Sequence, residues 1–471
     1  MGDAVVDSVP GWLERQAIAI LGRNDKTVLL AGILVLSAVF GALLGLLAVR
    51  RFVLGAVGIA AFATLGVVAG LADPQADLLP TVAVGLVGTL AGIVALRLLL
   101  TAAAQRHDEP EGARLDRRHF LLVAAGAAAV AAAGGLAGRI LYARERIDAV
   151  RAAIHLPAPV RPAPPPPPAA SLDIPGLTPL YVPNEEFYRI DTALRVPQVD
   201  PATWTLEITG MVDRPFTLTY AELMELPQIE ADITLACVSN PVGGDLVGNA
   251  RWQGVPLGLL LERAGVQEGA TQVLGRSVDG FTAGFPTVTA LALEEAMVAV
   301  AMNGEPLPAD HGFPARLVVP GLFGYVSATK WLSVLELNDF SDVDGYWVPR
   351  GWAKEGPIVT QSRIDVPGPS STVAAGPVPI AGVAWAPTRG IDRVEVQVDG
   401  GPWTAAELAA PLDVDSWRQW VYRWQATPGR HRISVRATDG NGDAQPPEDA
   451  PPAPSGATGH HTIEVEVEGV S

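Results

Sequence analysis

The sequence predicts a multi-domain protein: an N-terminal four-helix transmembrane region, a mixed α+β domain and a C-terminal β-sandwich. Three observations carry this expectation. Four apolar stretches are each long enough to cross the ~30 Å hydrocarbon core of a bilayer as a helix. Beyond a proline-rich linker, helix and strand signals are interleaved. After about Gly368 only short strands at regular spacing remain. The corresponding boundaries are 1–142, 143–171, 172–367 and 368–471.

The expected spans are 27–49, 52–72, 79–100 and 120–141. Only Arg97 interrupts the third, near its end, where a long side chain can snorkel to the interface. Small residues such as Gly41, Gly45, Gly134 and Gly135 would allow close helix approach, or simply reflect composition. Arg50 and Arg51 lie between spans one and two, and Arg106, Arg114, Arg117 and Arg118 between spans three and four, while the 73–77 turn has no basic residue. By the positive-inside rule these arginine-bearing loops are cytoplasmic, which puts everything after the fourth span outside the cytoplasm. Arg15, Arg23 and Lys26 act against this orientation. Arg117 and Arg118, followed by His119, Phe120, Leu121 and Leu122, look like a twin-arginine export signal, whose apparatus moves proteins already folded around a cofactor. A plain positively charged anchor would read the same way. Only His119 of the seven histidines touches a span, so no transmembrane haem is expected.

Pro164 to Pro168 should be extended polyproline II, a semi-rigid spacer between membrane and outer domains. In the α+β region, Trp204 to Gly210 alternates as a half-buried strand. Thr219 and Glu222 form a capping box, Pro256 to Ala264 reads as a helix stopped by Gly265, and Ala315 to Val319 as a buried strand. The sandwich strands are expected at Val378–Trp385, Val394–Val398, Trp417–Gln425 and Arg432–Ala437. Turn residues Asp399, Gly400 and Gly401, and the Asp439 to Gly442 run, separate them.

A net charge of -17 excludes a nucleic-acid partner as the expectation, because phosphate backbones require clustered Lys and Arg. The chain has only three lysines, Lys26, Lys330 and Lys354. Cys237 is its single cysteine, in a polar, glycine-rich run directly after the apolar stretch Ile233 to Ala236. One thiol excludes an intrachain disulfide, all-cysteine zinc sites, iron–sulfur clusters and CxxCH haem attachment. A buried inert thiol, an intermolecular bridge, a nucleophile or a thiolate ligand to a soft metal all remain open.

Three further segments suit a phosphorylated, polar cofactor: Asn184 to Thr192, Asp310 to Arg316, and Gly324 to Trp331. In the last, small residues let backbone amides approach phosphate while Lys330 supplies a point charge. Together with the Cys237 to Trp252 run, the Asp310 to Gly321 run and Lys330-Trp331-Leu332, they resemble the sulfite oxidase family of molybdopterin enzymes over roughly residues 175–365. The end of the chain, through Gly382 to Trp385, Arg393 to Val396, Asp399 to Trp403 and Arg436 to Gly440, resembles that family's immunoglobulin-like dimerisation domain.

The resemblance implies molybdenum carried by a single pyranopterin, with Cys237 as the metal's thiolate ligand and no haem or iron–sulfur cluster in this chain. A soft anionic thiolate stabilises a high-valent metal. Asn184, Phe187, Tyr188, Arg189, Asp191, Thr192, His311, Arg316, Ala328, Thr329 and Lys330 fall where the family contacts the pterin and its phosphate, and Ser277 and Asp279 at another pterin contact. The chain departs from the family in two places. Asn240-Pro241 stands where sulfite oxidases carry an arginine soon after the cysteine. Trp352 stands where a tyrosine is expected, leaving Arg350 as the anion contact. The expected activity is oxygen-atom transfer on a small oxyanion or sulfoxide-type molecule outside the cytoplasm. Electrons would be exchanged with a separate cytochrome or quinone-linked carrier, and a homodimer would form through the C-terminal domain. A membrane-tethered scaffold that keeps the fold without turnover, or a cysteine hydrolase pairing Cys237 with His311, are the competing expectations.

Overall fold

The computed structural model describes residues 25–72, 76–104, 113–144, 147–193 and 195–469. The chain divides into two units: Met1–Arg146 with Ala193–Gln198, and Ile147–Thr192 with Val199–Ser471.

The first unit is helical, with α1 (Asp25–Arg50), α2 (Phe52–Leu71), α3 (Leu78–Ala104) and α4 (Ala113–Arg144). Three stretches are long and apolar enough to cross a membrane: Val28–Arg50, Phe52–Leu71 and Leu78–Ala102. In α4 the apolar stretch among the described residues is Leu121–Leu136, and the side chains on either side of it, including both ends of the fourth expected span, lie outside the described residues. Three candidate spans are thus found among the described residues. Large side chains on these helices point outward, Leu79 being 82% exposed and Leu34 71%, a surface that needs an apolar medium. The close approaches use other glycines than those expected. Gly55 lies against Ala48 and Leu96, Gly58 against Leu44 and Gly85 against Val67, whereas nothing approaches Gly41, Gly45, Gly134 or Gly135. Arg15, Arg23 and Arg106 lie outside the described residues, as do the side chains of Lys26, Arg114, Arg117, Arg118 and His119.

The second unit opens with α5 (Asp148–Ala152) and the proline-rich segment. That segment is held along the body of the unit and is no spacer. Val160 N–H donates to Gln228 O (2.8 Å), Arg251 to Pro164 O (2.8 Å) and Gln253 to Pro157 O (2.8 Å), and further on Leu172 N–H donates to Gln419 Oε1 (2.7 Å). Proline cannot donate, so its carbonyls accept side-chain donors from the neighbouring strands.

The strands that follow are β1 (Thr205–Gly210), β2 (Phe216–Thr219), β3 (Ile229–Ala236), β4 (Val247–Pro256), β5 (Gln272–Ser277), β6 (Thr282–Pro286), β7 (Met297–Met302), β8 (Glu305–Pro306), β9 (Arg316–Val318) and β10 (Leu332–Asn338). Between them lie α6 (Tyr220–Glu225), α7 (Leu257–Ala264), α8 (Thr287–Ala292) and α9 (Gly324–Ser327). Thr219 and Glu222 make the expected capping box on α6, and Gly265, at φ 70°, ends α7 in the left-handed conformation that glycine adopts without strain. One sheet has the order β3-β4-β7-β8 with β9 on β7, all antiparallel, and the other the order β2-β1-β10-β5-β6, in which β1 and β10 are parallel. β3 is buried along almost all of its length because Trp385 and Trp417 of the C-terminal sheets join its core.

The remaining strands are β11 (Gln361–Val366), β12 (Thr372–Ala374), β13 (Gly376–Trp385), β14 (Ile391–Val398), β15 (Thr404–Ala405), β16 (Glu407–Leu408), β17 (Arg418–Ala426), β18 (Gly429–Asp439) and β19 (Thr462–Glu468). They form two sheets, β11-β13-β17-β16 and β12-β19-β18-β14-β15, enclosing one core that includes Ile380, Trp420, Val394 and Ile433. β11 pairs with β13, so the sandwich begins before residue 368, where the change in composition put the boundary. It is fastened to β3: Ser416 Oγ donates to Asp232 O (2.8 Å) and Trp417 N–H to Thr234 Oγ1 (2.7 Å).

Candidate active site

Cys237 is the first residue after β3, so a buried strand fixes its backbone. Its N–H donates to Leu246 O (2.9 Å) and its carbonyl accepts Asn240 N–H (3.1 Å), closing a turn over 237–240. Asn240 Oδ1 accepts Leu246 N–H (2.9 Å), which ties the turn to the start of β4. Cys237 is 8% exposed. Burial pushes its thiol up, while hydrogen bonds from the Ser239 amide and hydroxyl act the other way.

Opposite stands the Asn184 to Asp191 segment. Phe187 stacks on Tyr188 (centroids 5.2 Å apart) and meets Trp252 and His311 edge-on. Burial raises the Tyr188 phenol strongly, the charge on Cys237 adds to this and Arg316 opposes it, so Tyr188 remains protonated within the field of both. A Cβ at Gly324 would stand 3.9 Å from Ala236 O and 4.0 Å from the Tyr188 hydroxyl, so the start of α9 runs beside the same point.

The cationic residues come from the start of β9 and the loop after α9. Gly312, at φ 106°, lets them converge, because a Cβ there would stand 3.0 Å from Lys330 Cβ and 3.1 Å from Arg316 Cβ. His311 Nε2 is 2.8 Å from Asn184 O. A carbonyl only accepts, so in the neutral ring Nε2 carries the proton and Nδ1 is an acceptor. Burial first, and then Arg316, hold His311 down to about 4, which keeps it neutral at physiological pH. Arg316 is buried, donates to His311 O (3.2 Å) and lies 5.1 Å over the Trp252 ring. Burial pulls it down to about 10, and among the described residues it has no carboxylate partner. Lys330, drawn down by burial and up by Asp191 to about 8, donates to Asp191 Oδ2 (2.9 Å) and Asp310 O (3.1 Å). Asp191 is shared with Arg189 Nε (3.1 Å), and Thr192 lies half-buried beside it.

Several buried donors have no partner. Thr329 Oγ1, Asn240 Nδ2 and Trp352 Nε1 make no hydrogen bond, although buried polar atoms are nearly always satisfied. These orphans, the unpaired Arg316 and a lone thiol suit an anionic, hydrogen-bonding group that binds a soft metal. The residues therefore fit a molybdenum-bearing pterin phosphate.

Asn184, Phe187, Tyr188, Arg189, Asp191, His311, Arg316 and Lys330 are thus brought together by direct contacts. Ala328 follows α9, its N–H donating to Gly324 O (2.9 Å), and leads to Thr329. Ser277 and Asp279 form the β5–β6 turn, joined to Trp331 O by Val278 N–H (2.9 Å). Trp352 packs on Tyr325 (5.9 Å) and Trp347 (6.4 Å), both in the hydrophobic cluster around Val238. Arg350 donates to Tyr346 O (2.8 Å) and lies 3.6 Å over the Tyr346 ring.

Residues 193–347 match the family model described as an oxidoreductase molybdopterin binding domain. The chain is 30% identical to mitochondrial sulfite oxidase of Homo sapiens over 324 residues, 58% of this chain and 59% of that one. It therefore spans about three fifths of that relative's length. It is 35% identical over 157 residues to the uncharacterized oxidoreductase YuiH of Bacillus subtilis, covering 33% of this chain and 76% of the relative. Among solved structures, the sulfane dehydrogenase SoxCD of Paracoccus pantotrophus matches with a TM-score of 0.51 at 25% identity, covering 57% of this chain and 77% of that one. The site and these matches agree: the chain belongs to the sulfite oxidase family of molybdopterin-dependent oxidoreductases.

Proposed function

We propose that the protein is a membrane-anchored molybdopterin oxidoreductase that transfers oxygen to or from a small oxyanion or sulfoxide-type molecule outside the cytoplasm, exchanging electrons with a separate carrier. The observation that carries this is the buried Cys237 directly after β3, sharing Tyr188 as a neighbour with buried Arg316, which has no carboxylate partner among the described residues. When bound, the molybdenum–pyranopterin group supplies oxygen-atom transfer coupled to a two-electron change.

The chain's own residues hold and orient that group. Cys237 offers a thiolate, Arg316 a fixed cation and Lys330 a point charge suited to phosphate. His311 stays neutral and, tied to Asn184, offers Nδ1 as an acceptor. Phe187 and Trp252 wall the cations with apolar surface, which excludes water and strengthens each charge interaction. Three apolar helices support anchoring, and the arginine pattern supports an extracytoplasmic site. The C-terminal sandwich is read as the immunoglobulin-like domain through which two copies pair.

The test is metal analysis of the full-length protein. About one molybdenum per chain is expected, lost in Cys237→Ser with the fold retained. Folded, metal-free wild-type protein would instead support a non-catalytic scaffold.

A further inference from the structure

We propose that Arg363 and His461 of the C-terminal sandwich are positioning residues for the loop that carries Cys237, so that the sandwich helps to shape the active site. The proposal rests on the reading of Cys237 as a molybdenum ligand.

β3 and β4 are the arms of a hairpin, paired from Ile229 with Gly254 to Ala236 with Val247, and Cys237 to Leu246 is the loop that joins them. At its base Cys237 N–H donates to Leu246 O (2.9 Å). Two turns follow: Asn240 N–H closes on Cys237 O (3.1 Å), and Gly244 N–H on Pro241 O (2.9 Å). The turns are packed on each other, because a Cβ at Gly244 would run into Asn240 Oδ1 and the Pro241 ring. A displacement of the tip therefore passes through Asn240 to the backbone of the cysteine.

The tip is held from the sandwich. On β11, the guanidinium of Arg363 commits each nitrogen to a different residue. Nη1 donates to Gly244 O (2.8 Å), Nη2 to Thr178 Oγ1 (2.8 Å) and Nε to Asp365 Oδ1 (2.7 Å). The side chains of Arg363 and Asp365 are 10% and 8% exposed, so a buried, charge-balanced fork sets where Gly244 stands. His461, the residue before β19, takes the neighbouring glycine. Its ring fills the space that a Cβ would need at Gly243, where φ is 75°. His461 Nδ1 accepts Ile364 N–H (3.0 Å), so β11 fixes this contact too. The arms of the hairpin are already in register without these contacts. What the two residues fix is the tip, and through it the cysteine.

Partners that lie behind a metal ligand orient it and thereby tune the metal. Arg363 and His461 do so at one remove, through Gly244 and Gly243.

The test uses Arg363→Lys, which keeps a charge beside Asp365 but lacks the planar fork that engages three residues at once. It also uses His461→Ala, which empties the place against Gly243. Ser362→Ala is the control: it removes a buried hydrogen bond of the same strand, to Gln445 Oε1 (2.7 Å) within the sandwich. In metal-free, full-length protein, amide exchange across 237–246 should quicken about tenfold in both variants and not in the control. In molybdenum-loaded protein poised with dithionite, the paramagnetic resonance of the one-electron-reduced metal should shift in both variants, on the metal each retains. The control should keep the wild-type signal. Unchanged exchange in a variant would remove that residue from the role. Quicker exchange with an unchanged metal signal, or the same changes in Ser362→Ala, would overturn the proposal. Should Arg363→Lys fail to fold, His461→Ala gives both readings. Wild-type protein that takes up no molybdenum would sink the assignment of Cys237, while amide exchange still decides whether the sandwich holds the loop.

Discussion

Two arginines on the strands either side of β7, one half-buried and one buried, have opposite surroundings. On β4, Arg251 meets Asp232 of β3 through two bonds, Nε to Oδ1 (2.8 Å) and Nη2 to Oδ2 (2.7 Å), and also reaches Tyr181 and Pro164 O. On β9, Arg316 donates to carbonyls, lies over the Trp252 face and acts on Tyr188. The side chain of Asp232 is 2% exposed, so each charge in the first pair is answered within the protein. That pair organises the fold by fastening the proline-rich strap to the sheet. Among the described residues no carboxylate answers Arg316, and an unpaired buried charge persists only where something else repays its desolvation. One arginine is answered within the protein, and the other is the one the proposed function gives to a ligand.

The largest effect is expected from Arg251→Met. It leaves Asp232 buried without its cation, so denaturant unfolding should show a loss of about 3–5 kcal/mol, with or without cofactor. Arg316→Met should cost the metal-free protein nothing, or stabilise it, because removing an uncompensated charge relieves desolvation. Its deficit should appear in pterin and molybdenum content, measured on protein made with the cofactor present. The smallest effect is a pH dependence at Lys330, held at about 8 in the folded chain against an ordinary 10.5. Between those values the unfolded chain binds the extra proton, so the stability of metal-free protein should rise with pH across that window. The rise should vanish in Lys330→Met and shrink when an anionic phosphate occupies the site. Urea midpoints at the two ends of the window, with and without cofactor, check the sign.

Much of this was legible in the chain itself. Apolar length disclosed the helices, the Thr219/Glu222 box and Gly265 disclosed α6 and α7, and the lone Cys237 with its resemblance disclosed the site. What was not legible depends on partners distant in sequence. Proline composition dictated an extended segment but could not say that Gln228, Arg251 and Gln253 would hold it. Glycine counts could not tell Gly55 and Gly85, which face a neighbouring helix, from Gly41 and Gly45, which do not. The change in composition near Gly368 did not disclose that Gln361–Val366 pairs with β13. Nor does the sequence display the Tyr346 ring and carbonyl that Arg350 touches.

The thermal midpoints of Arg251→Met and Arg316→Met, each measured metal-free and loaded, test the central contrast most directly. Arg251→Met should fall equally in both forms. Arg316→Met should match or exceed wild type when metal-free and lose most of the stabilisation that cofactor gives wild type. An Arg316→Met protein as destabilised as Arg251→Met without cofactor would make Arg316 a structural residue and contradict the account.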